Sequence, residues 1–434
     1  MKQLALKLTT LSPLSIRSDH SPTGAEVAPY IPGSTLMGCL ISAHRLLRSD
    51  QESEFVQFFL SNKVQYPNLY PASFENRRMQ NAFSLLYCIP RTAQTCKRFK
   101  GFLPLPDDEQ DDEDDRHGVR DNLFDWAMFT MLGKAEQALE ANITTDEERG
   151  QIITALQEPQ SRLCTCGEPL DSFDGFYRWG EDGTRAAAKP EKRLLTRTGI
   201  NRKYGTVEES ILYNREVYEE ESCFFGVIQA EDDVATALQN FIWDKGSTEE
   251  GSLLLNDFAR LGTARTRGFG RVAFEMEPVE DIQDRFEVFK ERLRLFDEAL
   301  RDRAPAYADP PLYIALTLHA PTMLYDELLR YNGIISGKRL ETLAGLPANT
   351  FELLYHSASI RRIMGWQELW GLPHAQEYAL DAGSVFLFAV TQPLDDKLAR
   401  ALFTLEEQGI GQRRAEGFGR ICISDPFHKE RNLR

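Results

Sequence analysis

The sequence has no apolar run that approaches the roughly 18 consecutive residues of a membrane-spanning helix. Its residues 1–8 alternate apolar and polar side chains like a strand and lack the features of a secretory signal. Its 434 residues include seven cysteines, which without such a signal favour thiols or metal ligands over a disulfide framework. We therefore expect a cytoplasmic protein of two or three domains that has no contact with a membrane.

Motifs of common nucleotide enzymes are also missing. No Gly-x-x-x-x-Gly-Lys-Ser/Thr sequence occurs, which argues against a P-loop nucleotidase. No pair of carboxylates stands out for acid–base catalysis, since acids concentrate in residues 107–115, where eight of nine are Asp or Glu. The formal net charge is -16, but residues 192–207 and 260–271 carry five and four basic residues without an acid. The distribution of charge therefore permits nucleic-acid binding, although its sum does not suggest it.

Two loops repeat one pattern, at residues 261–272 and 410–421. Each has an apolar residue, a glycine, a short basic stretch and then Gly-Phe-Gly-Arg. Glycine lets the backbone approach a ligand closely, and arginine offers a planar set of donors that suits phosphate. We predict that both loops contact a phosphate-bearing polymer through Gly262, Arg265, Arg267, Gly268, Phe269 and Gly270 in the first, and Gly411, Arg413, Arg414, Gly417, Phe418 and Gly419 in the second. The two phenylalanines either stack on bases or anchor their loops.

The repeat extends beyond these loops. Residues 4–13 and 312–321 are alternating strand-like stretches that end in proline, and residues 223–228 and 385–390 are apolar runs upstream of each loop. A helical pattern separates each apolar run from its loop. The order strand, variable segment, strand, helix, glycine loop, strand fits a βαββαβ unit with an antiparallel sheet. We predict an α+β chain of two tandem ferredoxin-like domains of the RNA-recognition type.

An amphipathic helix is predicted between the two halves. Apolar residues recur there at alternating steps of four and three, as on one face of a helix: Ile282, Phe286, Phe289, Leu293, Phe296 and Leu300. We therefore divide the chain into a first domain (1–278) with an insertion (about 48–221), a linker helix (279–310) and a second domain (311–434). The insertion is too long for a loop and must have structure of its own.

Four residues of the insertion could bind a metal ion. Cys164 and Cys166 form a Cys-x-Cys-Gly turn that presents two sulfurs on a tight backbone. A tetrahedral zinc site needs two more ligands from distant sequence. We predict Cys96 and His117 for these positions, with Cys88 as the alternative to His117. A structural zinc ion would stabilise residues 88–180, which have little apolar core; the alternative is a set of buried free cysteines.

Residues 192–218 predict a β-hairpin with a basic tip. Polar residues that end in a glycine, 201–205, lie between two strand-like arms. Cationic and aromatic side chains together suit single-stranded or splayed nucleic acid, because they neutralise phosphates and offer rings for stacking. The predicted RNA-binding residues of this hairpin are Arg197, Asn201, Arg202, Lys203 and Tyr213. The alternative is an ordinary solvated hairpin.

The ordered set of motifs resembles the RAMP superfamily of CRISPR-associated proteins. The motifs that carry the resemblance are Leu-x-x-Leu-Ser-Pro-Leu (8–14), Pro-Gly-Ser-Thr-Leu (32–36), Thr-Cys-Lys (95–97), His-Gly-Val-x-Asp (117–121), Cys-x-Cys-Gly-Glu-Pro-Leu (164–170), the Gly-Ile-Asn-Arg of the hairpin (199–202) and the closing Glu-Gly-Phe-Gly-Arg (416–420). More narrowly, the chain resembles the type III-D subunit of the group-five kind, which caps the guide-RNA end of an effector complex. The family's metal-binding turn usually reads Cys-Pro-x-Cys-Gly, one residue longer than here.

This resemblance implies a protein that binds RNA and does not cut it. It would hold the 5′ handle of the CRISPR RNA in a prokaryotic cytoplasm, beside the large polymerase-like signalling subunit and the backbone RAMP subunits. Its hairpin would enter the guide–target duplex. Two alternatives stay open: an RNA-processing endoribonuclease of the same superfamily, with His20, His44 or His319 as the general base, and a protein scaffold that has no RNA contact.

Overall fold

The computed structural model of the chain describes residues 1–17, 26–72, 86–103, 116–139, 163–179, 185–188, 191–200, 207–242, 255–279, 282–302, 311–367, 372–373, 375–429 and 431–433. Over these ranges the protein is a mixed α/β chain with a main sheet in each half. None of the helices described is both long and apolar enough to cross a bilayer.

The first sheet is antiparallel and is built from distant parts of the sequence. Its strands are Lys2–Thr10, Val64–Gln65, Tyr70–Pro71, Cys223–Ala230 and Val272–Pro278. Lys2–Thr10 lies between Val272–Pro278 and Cys223–Ala230, and the two short strands pair along the outer edge of Cys223–Ala230. Leu4, Leu6 and Leu8 point into the core, because successive side chains of a strand face opposite sides.

Helices cover one face of this sheet. They are Gly33–Leu47, Glu52–Phe59, Asp232–Ile242 and Leu255–Phe258. Residues 52–72, which the sequence analysis assigned to the insertion, instead belong to this core, where Phe58 and Tyr66 are buried beside Leu40. The insertion therefore departs from the first domain after residue 72, because the helix and short strands of 52–72 complete the apolar layer.

The second sheet has the same connectivity as the first. Its strands are Leu312–Leu318, Phe351–Ser357, Val385–Val390 and Ile421–Ile423, and its helices are Gly337–Ala344 and Asp396–Gln408. Leu312–Leu318 lies between Val385–Val390 and Ile421–Ile423, and Phe351–Ser357 pairs with the outer edge of Val385–Val390. The first sheet has this order too, with its two short strands together in the second position.

The helix between the halves runs from Ile282 to Arg301 and packs on the second domain. Phe289 and Leu293 join the core beneath one face of the second sheet. Phe296 and Leu300 join the core on its other face. The amphipathic pattern therefore gives a helix, as predicted, but the helix is an integral part of the second domain.

In the part that the structure describes, the insertion contains small sheets and a helix. Its strands are Leu86–Cys88, Ala93–Cys96, Gly118–Asp121, Leu170–Ser172, Phe176–Trp179 and Arg185–Ala187, and its helix is Leu123–Leu139. Leu123 and Phe124 of that helix pack on the second sheet against Tyr313 and Leu387. The C-terminal strand Arg431–Leu433 pairs with Gly118–Asp121. The insertion of the first domain is thus docked on the second.

Each domain also carries a hairpin between its second and third strand positions. The basic hairpin consists of Lys192–Ile200 and Val207–Tyr218. The second hairpin consists of Ile360–Ile363 and Glu377–Leu380, and the short strands Trp366–Gln367 and Leu372–Pro373 pair beyond it. The duplication therefore includes the hairpins.

Candidate nucleic-acid interface and metal centre

The first glycine loop, residues 262–270, folds around one 3-10 turn from Arg265 to Arg267. The Leu261 amide donates to the Gly270 carbonyl at 2.8 Å and closes the loop at its base. The side chains of Arg265 and Arg267 are exposed on the turn. The turn therefore carries two exposed arginine side chains, a residue type that suits phosphate.

The second glycine loop, residues 411–419, has nearly the same backbone. Its 3-10 turn runs from Arg414 to Glu416, and the Ile410 amide donates to the Gly419 carbonyl at 2.9 Å. In the first loop, the amides of Thr263 and Gly270 donate to Ser15 and Pro13, both at 2.9 Å. The corresponding bonds of the second loop are Gln412 to Met323 at 3.0 Å and Gly419 to Pro321 at 2.9 Å. The two loops are therefore one structural element that occurs twice.

The last glycine of each loop is required by packing within the protein. Gly270 and Gly419 have φ of 78° and 74°, a region that side chains with a Cβ rarely adopt. A methyl group at Gly270 would overlap the Leu261 carbonyl oxygen, and one at Gly419 would overlap that of Ile410. The internal geometry of the loops explains these glycines without a ligand.

The second loop is docked on the first domain. The Tyr66 amide donates to the Ala415 carbonyl at 3.1 Å. The Asn68 side-chain amide donates to the Gly417 carbonyl at 3.0 Å, and its oxygen accepts from the Gly33 amide at 2.9 Å. The backbone that the sequence analysis assigned to RNA therefore faces protein.

Side chains of the second loop also have partners within the protein. Arg413 lies 2.6 Å from Glu377 and 2.7 Å from Glu416, and both carboxylates together with these bonds raise the pKa of its guanidinium. Its guanidinium carbon lies 5.0 Å from the centre of the Phe418 ring. Of the residues predicted to bind RNA here, Arg414 has the exposed side chain.

The basic hairpin lies beside the first loop. Arg197 is exposed, and its guanidinium carbon is 4.8 Å from the centre of the Phe269 ring. Phe269 is 4% exposed, so it anchors the loop and does not offer a face for a base. Asn201, Arg202 and Lys203 lie outside the described residues, as does the side chain of Tyr213.

The predicted metal ligands come together in the insertion. The ligand atoms of Cys96, His117, Cys164 and Cys166 all lie within 4.8 Å of one another. The sulfurs of Cys96 and Cys166 are 3.8 Å apart, and His117 Nδ1 is 3.3 Å from the Cys164 sulfur. A tetrahedron with zinc–sulfur bonds of about 2.3 Å has an edge of about 3.8 Å. One nitrogen and three sulfurs at these separations fit a closed zinc site.

Local backbone structure places these four side chains. Cys96 ends the strand Ala93–Cys96, and His117 immediately precedes Gly118–Asp121, which pairs with it. The Gly167 amide donates to the Cys164 carbonyl at 2.9 Å and closes the tight turn that carries two of the sulfurs.

The electrostatics of the cluster favour a thiolate. Burial by itself raises the pKa of the Cys164 thiol, but hydrogen bonds from the Cys166 amide and from the side chains of His117 and Cys166 lower it to about 6. A deprotonated sulfur is the form that binds metal.

Cys88, the alternative ligand, lies apart from the cluster. Its sulfur donates a weak hydrogen bond to the Ile89 carbonyl at 3.7 Å, and burial raises the pKa of its thiol well above the ordinary value. The arrangement therefore favours His117 as the fourth ligand. Cys39 is buried in the core of the first domain, and Cys422 is buried beside His319 and Asp425.

Two of the histidines considered as general bases have protein partners. His44 is buried among phenylalanine rings and lies 3.0 Å from Glu54. His319 Nε2 is 2.7 Å from a carboxylate oxygen of Asp425, which is fully buried. His20 lies outside the described residues.

A buried polar network at the junction of the insertion and the second domain was missed by the sequence analysis. His428 lies 3.0 Å from Asp121 and 2.8 Å from the hydroxyl of Thr317. Asp425 accepts from the Phe427 amide at 2.9 Å and from the Tyr177 hydroxyl at 3.4 Å. The network joins residues 425–428 to Asp121, Tyr177 and Thr317, which are more than 100 positions away in sequence, so no short spacing predicts it. The available signal was the polar side chains just after an apolar strand.

These features define a mixed α/β protein whose two main sheets share one strand order, with a glycine loop before the last strand of each. The RAMP superfamily model matches residues 7–273, which is more than half of the chain. The chain belongs to the RAMP superfamily.

Comparison with solved structures finds subunits of type III-B Cmr-beta complexes. A chain of the complex bound to cognate target RNA and AMPPnP is 14% identical with a TM-score of 0.36, over 88% of this chain and 86% of that one. A chain of the apo state is 15% identical with a TM-score of 0.27, over 64% of this chain and 98% of that one. A search of curated proteins gives no match.

Proposed function

We propose that this RAMP protein is a non-catalytic, RNA-binding subunit of a type III CRISPR effector complex. The observation that carries the proposal is the exposed basic surface formed by Arg197, which lies over Phe269 of the first glycine loop, and by Arg265 and Arg267 on the turn of that loop. Family membership supports an RNA ligand, and guanidinium groups on a rigid loop suit phosphates.

The finer proposal is a type III-D subunit of the group-five kind that binds the 5′ handle of the CRISPR RNA. An irregular single strand is recognised by its backbone and 2′-hydroxyls, which suits loops more than a flat sheet. The shared strand order of the two sheets supports tandem ferredoxin-like domains. The large signalling subunit, the backbone RAMP subunits and the guide–target duplex are the proposed partners.

A structural role for zinc is part of the proposal. The four ligands would bind the ion without leaving an open position, so it would join strands and would not activate water. The small cores of the insertion are consistent with a need for such a ligand.

The decisive experiment compares RNA retention in purified complexes. Arg265→Ala combined with Arg267→Ala should reduce the CRISPR RNA that co-purifies with the assembled complex, because two phosphate contacts are lost. Arg294→Ala is the control, since this exposed arginine lies on the linker helix and pairs with Glu291. If RNA content is unchanged, the scaffold alternative is favoured.

The endoribonuclease alternative has its own assay. Incubation of the protein with repeat RNA should give no site-specific cleavage. Cleavage that is lost in His20→Ala or His319→Ala would overturn the non-catalytic role.

A further inference from the structure

The two hairpins join their domains at equivalent points. Leu14 follows the proline after the first strand of its domain and pairs with Tyr218, which ends the basic hairpin. Thr322 follows the corresponding proline in the second domain and pairs with Leu380, which ends the second hairpin. The positions of the two hairpins can therefore be compared residue by residue from these pairs.

That comparison places Arg215 and Glu377 at the same position. Each lies three residues before the end of its hairpin. Arg215 faces Leu195 across the basic hairpin, and Glu377 faces Ile363 across the second hairpin. An arginine in one copy is therefore replaced by an acid in the other.

The glycine loops show the same replacement of an arginine by an acid. Arg267 of the first loop corresponds to Glu416 of the second, counted from the shared glycines. In the second copy, Glu377 and Glu416 both pair with Arg413. The second copy thus carries two acids that pair with Arg413, at positions where the first copy carries Arg215 and Arg267.

The first copy has a cleft where the hairpin meets the loop. It is lined by Leu195, Arg197, Arg215, Ala264, Arg267 and Phe269. Three of these six residues are arginines and none is acidic. The Arg197 guanidinium lies over the Phe269 ring, and Arg215 Nη1 is 3.4 Å from the Thr263 hydroxyl. The arginines are therefore held by the walls of the cleft.

The two loops also differ in what covers them. Among the described residues, a methyl group added at Gly268 would meet nothing within 4 Å, whereas one at the corresponding Gly417 would lie 2.6 Å from the Asn68 side-chain oxygen. The first loop therefore presents an open backbone at the point where the second loop is docked on the first domain.

We propose that the two copies have divided their roles. The cleft of the first copy, bounded by Arg197, Arg215 and Arg267, binds a phosphodiester group of single-stranded RNA, and the second copy joins the two domains without contacting that RNA. The inference rests on the proposed RNA-binding function and deepens it, since it assigns the contact to one of two similar loops and adds Arg215 to the site.

The chemistry of the cleft suits a phosphodiester. A phosphate oxygen accepts charge-assisted hydrogen bonds from guanidinium groups, and two or three of them can share one phosphate. Leu195 and the anchored Phe269 give the cleft an apolar wall beside the sugar. Contact with phosphate and sugar positions the strand without reading its sequence.

The test measures binding of a fluorescein-labelled single-stranded RNA of the repeat sequence to the full chain over a series of salt concentrations. Arg267→Glu copies the residue of the second loop, and Arg215→Gln removes the hairpin charge. Each should weaken binding about tenfold and reduce the salt-dependence slope by about one. Arg265 lies on the same turn as Arg267, beside the cleft, and its counterpart in the second loop is Arg414; both side chains are exposed. Arg265→Glu should weaken binding, whereas Arg414→Glu should leave it within twofold, because the inference removes Arg414 from the RNA-binding residues that the sequence predicted.

The outcomes separate the inference from the function on which it rests. If Arg414→Glu weakens binding as much as Arg265→Glu, the division of roles is wrong while RNA binding stands. If neither Arg215→Gln nor Arg267→Glu weakens binding, the cleft is not the site. If the unaltered chain retains no RNA alone or in its complex, the proposed function fails as well. Arg215→Lys, which keeps the charge, should recover most of the affinity and shows that loss of folding is not the cause.

Discussion

At the scale of single residues, the glycines of the two loops have different roles, which depend on their position in the loop. Gly419 has positive φ and sits against its own loop, so it has neither the conformation nor the room for a side chain. Gly268 also has positive φ, but it faces open space. The sequence pattern alone assigns both to ligand binding, whereas packing explains the first.

We predict that Gly419→Ala is much more destabilising than Gly268→Ala. The methyl group at position 419 would overlap the Ile410 carbonyl oxygen, so the loop must shift, at a cost of about 3 kcal/mol or more. At position 268 the cost is the left-handed conformation alone, about 1 kcal/mol. Thermal unfolding of both variants checks this, and equal melting temperatures would contradict it.

The buried Asp425 is a residue whose environment sets its ionisation. Burial by itself raises the pKa of this carboxyl, but the hydrogen bond and charge of His319, the charge of His428 and the Phe427 amide lower it to about 2. The folded pKa is below the unfolded value of about 3.9, so the carboxylate stabilises the fold above that pH and loses its effect as the pH falls towards 2.

We therefore predict that Asp425→Asn lowers the free energy of unfolding by about 2 to 3 kcal/mol near neutral pH. The difference from the unaltered protein should shrink between pH 4 and pH 2, because protonation removes the same charge. Urea unfolding across this range measures it. Asp50→Asn, at an exposed position, is the control and should have little effect. A difference that is constant with pH would argue against the charge as the cause.

At the scale of secondary-structure elements, the cysteine and histidine cluster joins three separate pieces of the insertion. Cys96 ends a strand, His117 precedes its neighbour, and Cys164 and Cys166 belong to a turn 47 and more residues away from His117 in sequence. The strands are three or four residues long, which is short for independent stability. A bound ion would supply the cross-link that these elements lack.

We predict one zinc ion per chain and its loss in Cys166→Ser. The hydroxyl of serine is a poor substitute for a thiolate ligand, so the site would retain three protein ligands and bind weakly. Elemental analysis of the purified protein gives the stoichiometry. Cys223→Ser is the matched control, because this cysteine lies outside the cluster and should leave the zinc content at one. Retention of zinc by Cys166→Ser would exclude it as a ligand.

At the scale of the whole molecule, the second glycine loop holds the two domains together. Asn68 bonds to Gly417 on one side and to Gly33 on the other, and Tyr66 bonds to the same loop. The insertion adds a second connection through the helix Leu123–Leu139 on the second sheet. The second loop and the insertion therefore both fix the two halves of the chain against each other.

We predict that Asn68→Ala weakens the attachment of the domains. It leaves the Gly33 amide and the Gly417 carbonyl without their buried partner, at a cost of about 1 to 3 kcal/mol each. Asn214→Ala on the exposed hairpin, where the side chain bonds to Thr196, is the control and should cost less than about 1 kcal/mol. Urea unfolding followed by tryptophan fluorescence distinguishes the two variants, and equal midpoints would contradict the role of Asn68.

Local patterns in the sequence were sufficient for what depends on periodicity and close spacing. The alternation of Lys2–Thr10, the apolar face of Ile282–Arg301 and the matching glycine loops are each visible in a short stretch, because strand and helix periods are local properties. The metal ligands could be chosen from the chemistry of cysteine and histidine. The predicted four do meet in the fold.

Tertiary structure alone decided which of two similar loops is open and which is covered. That outcome depends on Asn68 and Gly417, whose contact joins positions 349 residues apart in the chain. The tertiary structure also placed the insertion on the second domain and brought Asp425 and His319 together. Such contacts depend on how whole domains dock, and a local sequence pattern does not determine them. Two similar motifs therefore have different surroundings in the folded protein.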